Sequence, residues 1–161
     1  FNGSGFIDHH RNYLYLVDVD SGITTQLTNG MFNVEFACFS NDGRKIAYIS
    51  VDDWRRSIIR NVYILVLETM EVSKVTKDNL SVSSIDWSPN DKQLLLQACT
   101  LERGWASHYH LWILDLESGH IEPLTKQYDR NTMAFVSSDS IGPYRVRSHP
   151  KWCSDGNIYV G

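Results

Sequence analysis

Val62-Tyr63-Ile64-Leu65-Val66-Leu67-Glu68-Thr69-Met70, followed by Lys74-Val75-Thr76, is the stretch on which the fold turns. A run of β-branched, aromatic and aliphatic residues ends at a polar turn. It is too short for a core helix and suits a strand covered on both faces. The pattern recurs. Forty-eight residues earlier, Leu14-Tyr15-Leu16-Val17-Asp18-Val19-Asp20-Ser21-Gly22 leads to Gln26-Leu27-Thr28. Forty-nine residues later, Leu111-Trp112-Ile113-Leu114-Asp115-Leu116-Glu117-Ser118-Gly119 leads to Pro123-Leu124-Thr125. A fixed period of this size is the first thing to interpret in any sequence.

A second motif interleaves with the first. Phe39-Ser40-Asn41-Asp42-Gly43 leads into Ile46-Ala47-Tyr48-Ile49, and Trp87-Ser88-Pro89-Asn90-Asp91 leads into Leu94-Leu95-Leu96. Trp152-Cys153-Ser154-Asp155-Gly156 leads into Ile158-Tyr159-Val160. The first two stand 48 residues apart and the last two 65, so the final repeat carries an insertion. Each unit therefore reads as four short strands, here called a to d. Strand a ends at the aromatic residue. A turn of Asn-Asp-Gly type follows, since those residues tolerate a left-handed backbone. Strand b is the apolar run after the turn, strand c is the run that opened this section, and strand d ends in Leu-Thr or Val-Thr.

Four-stranded units repeating in tandem predict an all-β fold, a β-propeller with antiparallel blades of about 48 residues. Residues 1–28 hold the end of one blade, 32–76 and 81–125 are whole blades, 126–147 form an inserted loop, and 148–161 begin another blade. The whole of 1–161 is then part of one propeller domain. A closed propeller needs roughly four to eight blades, so the expectation is a partial propeller belonging to a longer protein. Helix is disfavoured throughout.

The motifs resemble those of TolB-like propellers, whose signature is Trp-Ser-Pro-Asp-Gly, an apolar strand, Leu-Tyr-hydrophobic-Asp, a Gly turn and Leu-Thr. Trp87-Ser88-Pro89, Asp42-Gly43, Asp155-Gly156 and the three Thr-ending strands carry it. Asn41 and Ser154 depart from it at the proline position, Asn90-Asp91 replaces Asp-Gly, and Met70 replaces Gly. A narrower likeness lies at Gly5-Phe6-Ile7-Asp8-His9-His10-Arg11-Asn12-Tyr13-Leu14-Tyr15 and in the long insertion before Trp152. It is similar to the propellers of acylaminoacyl-peptidase and dipeptidyl-peptidase-type serine peptidases of the prolyl oligopeptidase group. That resemblance implies a C-terminal α/β-hydrolase domain bearing a Ser-Asp-His triad.

Composition excludes some partners. Lys and Arg total 15 against 19 Asp and Glu, for a formal net charge of −4. Such a chain has no basic field for nucleic acid or an anionic membrane. No apolar run approaches the roughly 20 residues of a membrane helix. Cys38, Cys99 and Cys153 are odd in number and widely spaced, which argues against a disulfide framework or a zinc knuckle and leans towards reduced thiols in the cytoplasm.

Catalytic motifs are missing. No two glycines lie four apart, so there is no Gly-x-Ser-x-Gly elbow. Gly3-Ser4-Gly5 reads as a flexible turn. His-Glu-x-x-His and glycine-rich phosphate loops are also absent. Ser138, Asp139 and His149 form a scattered serine-aspartate-histidine set without an elbow or an oxyanion motif. His108 and His110 alternate near the start of a strand, yet a zinc site needs three or four ligands. No cofactor, metal or catalytic residue is expected.

Topology points to one face. Successive strands are antiparallel, so the a–b and c–d turns share one end and the b–c and d–a connections share the other. The first set is short. The second is long: Val51–Arg60, Thr100–His110 and Lys126–His149, joined by Phe1–Asn12. These loops carry Trp54, Arg55, Arg56, Arg103, Trp105, Arg145 and Arg147, with Tyr128, Arg130 and Tyr144 beside them. Arg and aromatic residues dominate binding hot spots. The competing reading is a solvated rim paired with Asp52, Asp53 and Glu102.

The functional expectation is a non-catalytic propeller segment of a prolyl oligopeptidase-like serine peptidase. It would gate or position peptide substrates for the hydrolase domain of the same polypeptide. The alternatives are a protein-docking scaffold like TolB-type propellers, and a carbohydrate-active propeller with its site in the central channel.

Overall fold

A computed structural model describes residues 11–77, 79–133 and 149–160, with Trp54 and Trp105 as backbone alone. Strands dominate because apolar runs alternate with turn sequences that stop them. In chain order they are β1 (Tyr15–Val17), β2 (Thr24–Gln26), β3 (Asn33–Phe39), β4 (Lys45–Val51), β5 (Asn61–Val66) and β6 (Glu71–Lys74). Then come β7 (Ser81–Trp87), β8 (Gln93–Cys99), β9 (His110–Asp115), β10 (Ile121–Pro123), β11 (Lys151–Trp152) and β12 (Ile158–Tyr159). Two four-stranded sheets have the orders β3-β4-β5-β6 and β7-β8-β9-β10. Hairpins β1-β2 and β11-β12 flank them, and every strand pair is antiparallel. Helix among the described residues is confined to two single 3-10 turns, Trp54–Arg56 and Gly104–Ala106. No helix among these residues is long and apolar enough to cross a membrane.

The first sheet is packed on both faces. Val34, Ile46, Tyr48 and Leu65 face the β1-β2 hairpin and meet Leu14 and Leu27. Ala47, Ile49, Val62 and Ile64 face the second sheet and meet Val82, Ile85, Trp87, Leu94 and Leu96. Adjacent residues of β4 therefore point into different cores, so the strand reads as continuously apolar rather than alternating. Fully burying each such side chain stabilises by about 1.5–3 kcal/mol.

The repeat is also a repeat of hydrogen bonds. The N–H groups of Leu14, Val62 and Leu111 donate to the hydroxyls of Thr28, Thr76 and Thr125, each at 2.9 Å. Strand d stops earlier than its Leu-Thr sequence suggests, at Gln26, Lys74 and Pro123. The threonine side chain has taken the place of the next ladder bond. Irregularities repeat as well: the β3–β4 register shifts between Val34 and Phe36, and the β7–β8 register between Val82 and Ser84.

Departures from the TolB-type signature acquire physical meaning here. Met70 occupies the position of Gly22 and Gly119 and adopts the same left-handed backbone, with φ of 58° against 70° and 69°. Asp91 likewise has φ of 56° where Gly43 has 70°. Its carboxylate accepts the backbone and side-chain N–H groups of Asn41 at 2.8 and 2.7 Å, and Asp42 N–H at 3.0 Å. A glycine would fit that turn but could not join it to the neighbouring sheet. The third turn is one residue tighter. Phe39 pairs with Ile46 and Trp87 with Leu94, but Trp152 pairs with Ile158.

Candidate binding face and the joints beneath it

Both b–c connections lie at the same end of their sheets, since each follows the second strand of an antiparallel set. Each contains one of the 3-10 turns. Asp53 caps the first, its carboxylate accepting Arg55 N–H at 2.9 Å. Arg55 and Arg56 in that turn are exposed. Arg103, also exposed, precedes the second turn. Leu101 just before it holds φ of 61°, a strained value for a residue with a side chain. The backbone places Trp54 and Trp105 within the two turns. Arg145 and Arg147 lie outside the described residues, as does Tyr144. Tyr128 and Arg130 are exposed.

Acids at this end engage partners of their own. Asp52 accepts Tyr63 O–H at 2.6 Å and an Asn61 side-chain N–H at 3.2 Å, and Lys74 lies 3.5 Å away. Tyr63 stacks on Tyr48 with ring centroids 5.4 Å apart. Burial, helped by the Asp52 charge, pushes the Tyr48 hydroxyl up to about 12. Glu102 pairs loosely with Lys126 at 3.9 Å.

Three joints below the face were not singled out from the sequence. Arg60 Nε lies 2.6 Å from Glu35, which sits at the register shift of β3, and Arg60 C=O accepts Val82 N–H at 3.1 Å from the second sheet. Asp86, almost wholly buried, accepts Lys151 Nζ at 2.8 Å and Trp152 N–H at 2.7 Å. The third is the Asp91 contact described above. A signal existed for Asp86: a carboxylate inside the run Ser81–Trp87 needs a cation, and Lys151 stands one residue before the equivalent aromatic of the next repeat.

Among the described residues, no catalytic arrangement emerges from those the sequence suggested. Ser138 and Asp139 fall outside the described residues. His149 meets Ser84 instead, with Nδ1 3.0 Å from Oγ, and its ring lies 4.6 Å from that of Phe36. Ser84 is buried, so its hydroxyl is shielded from a substrate. Phe36, Ser84 and His149 occupy one register on successive first strands. The contact is a packing joint between repeats. His108 and His110 have ring centroids 6.4 Å apart, and His108 Nδ1 lies 3.7 Å from Asp129. No group of three metal-ligating side chains forms among the described residues. All three cysteines are free, with Cys99 buried and the others half-buried. Burial, then the charge of Asp86, pushes the Cys38 thiol up to about 12, which leaves it unreactive at neutral pH.

Comparison with known proteins fits this architecture. No family model matches the chain. Dipeptidyl-peptidase 5 of Porphyromonas gingivalis is 28% identical over 120 residues, 72% of this chain. The chain spans only 17% of that protein's length. Oligogalacturonate lyase from Vibrio parahaemolyticus superposes with a TM-score of 0.67 at 15% identity, over 95% of this chain and 39% of that one. TolB from Acinetobacter baumannii gives 0.63 at 16% identity, over 89% and 30%. The acylaminoacyl peptidase of Pyrococcus horikoshii gives 0.52 at 16% identity, over 68% and 20%. At these identities the solved structures speak for the fold alone. That fold is an all-β arc of TolB-like β-propeller built from four-stranded antiparallel sheets.

Proposed function

We propose that this chain is the non-catalytic propeller segment of a serine peptidase of the prolyl oligopeptidase type. Its loop-rich end gates or positions short peptides for an α/β-hydrolase domain carried on the same polypeptide. The observation that carries this reading is the 28% identity to a dipeptidyl-peptidase across 120 residues. The exposed Arg55, Arg56 and Arg103 at one end support a face that orients peptide carbonyls or a C-terminal carboxylate. The half-buried and buried free thiols favour a reducing compartment, and we place the protein in the cytoplasm.

The test begins with the gene. Downstream codons should hold Gly-x-Ser-x-Gly after a strand, then Asp and His in that order. The full polypeptide should cleave dipeptidyl or acylaminoacyl chromogenic substrates and lose that activity to a serine-directed inhibitor. The 161-residue chain alone should cleave none. In the full enzyme, Arg56→Ala with Arg103→Ala should raise KM several-fold and leave kcat unchanged. A downstream frame without the elbow would sink the peptidase reading.

A docking scaffold is the second reading, favoured by the superposition of TolB over 89% of the chain. It predicts that a complete gene encodes propeller repeats alone, behind a secretory signal.

A further inference from the structure

The connection from β2 to β3 contains Asn29-Gly30, and the fold dictates the second of these residues. Gly30 holds φ of 128°, in the region that favours glycine. A Cβ placed there would stand 3.0 Å from Cε1 and 3.2 Å from Cδ1 of Phe32. Phe32 has little room to give. It packs against the core of Val34, Ile46, Tyr48 and Leu65, and its ring meets that of Tyr13 edge-on at 6.2 Å. The Tyr13 hydroxyl in turn donates to Gly30 C=O at 2.7 Å. A side chain at position 30 is therefore strained twice over, by backbone and by contact. Asn29 is followed by the least hindered peptide nitrogen a chain can offer.

Both reacting groups are accessible. Asn29 and Gly30 are exposed. Among the described residues no hydrogen bond holds the Asn29 side chain or Gly30 N–H. The exposure belongs to this place in the repeat. Lys77 and Lys126 follow Thr76 and Thr125 as Asn29 follows Thr28, and both are exposed. Lys77 is so even though its sheet is packed on both faces. Every other described asparagine precedes a residue with a side chain. Asn2-Gly3 lies outside the described residues.

We propose that Asn29 is a site of spontaneous deamidation, with water as the co-reactant. Gly30 N gives its proton to solvent hydroxide and attacks Asn29 Cγ. The new N–Cγ bond forms, the Cγ–Nδ2 bond breaks, and the nitrogen takes a solvent proton and leaves as ammonia. Water then opens the five-membered imide at either carbonyl. One opening gives aspartate. The other gives isoaspartate, whose main chain runs through the former side chain and gains a methylene. Either product puts a carboxylate, ionised at neutral pH, on the loop-rich end. The isoaspartyl product also lengthens the path into β3 from Thr28, whose hydroxyl accepts Leu14 N–H at 2.9 Å. It is the class of product that S-adenosylmethionine-dependent isoaspartyl methyltransferases esterify. Nothing in this chemistry depends on a hydrolase domain, so it stands or falls separately from the peptidase reading.

The experiment is peptide mass spectrometry on the purified 161-residue chain, kept folded for days at neutral and at mildly alkaline pH. Trypsin cuts after Arg11 and Arg44, which puts Asn29 on the fragment 12–44 and Asn2 on another. The 12–44 fragment should gain one mass unit, and fragmentation should place the gain on Asn29. The rate should rise in proportion to hydroxide, because the attacking nitrogen must first lose its proton. The aged chain should accept methyl groups from an isoaspartyl methyltransferase, and the fresh chain should not. Asn29→Gln should abolish the gain in this fragment and leave the circular dichroism spectrum unchanged, since the side chain it replaces is exposed and unbonded. A folded chain that keeps its mass while a urea-unfolded chain converts overturns the proposal, because the fold then protects the site. A gain that maps to Asn33 or Asn41, or that persists in Asn29→Gln, overturns it too.

Discussion

Met70 and Asp91 hold the same backbone conformation for different reasons. Left-handed geometry costs an L-residue roughly 1–2 kcal/mol. Met70 is partly exposed, and its side chain is in none of the packed cores. Met70→Gly should therefore stabilise by about 1 kcal/mol, raising the Tm by about 3 °C in a thermal melt. Asp91→Gly removes equal strain but also the acceptor for Asn41 and Asp42. It should destabilise by about 1 kcal/mol, and the loss should shrink in an Asn41→Ala background. Protonation acts at the same scale. Serine and asparagine hydrogen bonds in the turns hold Asp18, Asp42, Asp115 and Asp155 below their ordinary 3.8. Their contribution is present above that value and is lost as pH falls through the lowered ones. Cys38 works in the other direction: raised from 9.0 to about 12, it favours the fold below pH 9 and ceases to do so as pH climbs between those values. Urea midpoints should be flat from about pH 5 to 8 and fall on both sides, the acid limb shallowly because those aspartates are exposed.

Strands and their fastenings form the next scale. Thr76 is buried and is the acceptor for Val62 N–H. Thr76→Val keeps the shape and strands that donor, so it should cost about 1–3 kcal/mol in urea denaturation. The same change at the less buried Thr125 should cost less, because water replaces the hydroxyl. How much of this was legible follows from what leaves a mark in sequence. Phe39, Trp87 and Trp152 end β3, β7 and β11 as the aromatic motif implied, and β5 holds the run from Val62 as far as Val66. Burial on both faces writes itself as an unbroken apolar run. The Leu-Thr ends were visible, but not that the threonine would use its side chain. The tighter turn at Cys153 was hidden because Asp155-Gly156 mimics Asp42-Gly43. Of the candidate face, topology revealed the shared end of the b–c loops. Arg60 and Asp91 were missed because each gains its role from a residue on a different sheet, at a distance no local pattern encodes, whereas Asp86 was readable only by setting its strand beside Lys151 in the next repeat.

At the scale of the molecule, the largest packed core among the described residues crosses from β4 and β5 to β7, β8 and β9. Neither four-stranded sheet can shed its partner without exposing Ile49, Val62, Val82 and Leu96. Heat or urea should therefore melt both sheets in a single transition, with tryptophan fluorescence and far-UV circular dichroism coinciding. Leu96→Ala, at the centre of that core, should lower the transition by about 2–5 kcal/mol without splitting it. Two transitions would show that the sheets stand independently. The two kinds of fastening also carry different histories. Thr28, Thr76 and Thr125 each tie a strand to its neighbour inside one period, so tandem duplication of that period copies a finished tie. The joints of Asn41 with Asp91 and of Asp86 with Lys151 run between periods and differ from each other. Duplication multiplies the first kind, and divergence writes the second. Through those unlike joints, units alike in sequence pattern take a fixed order.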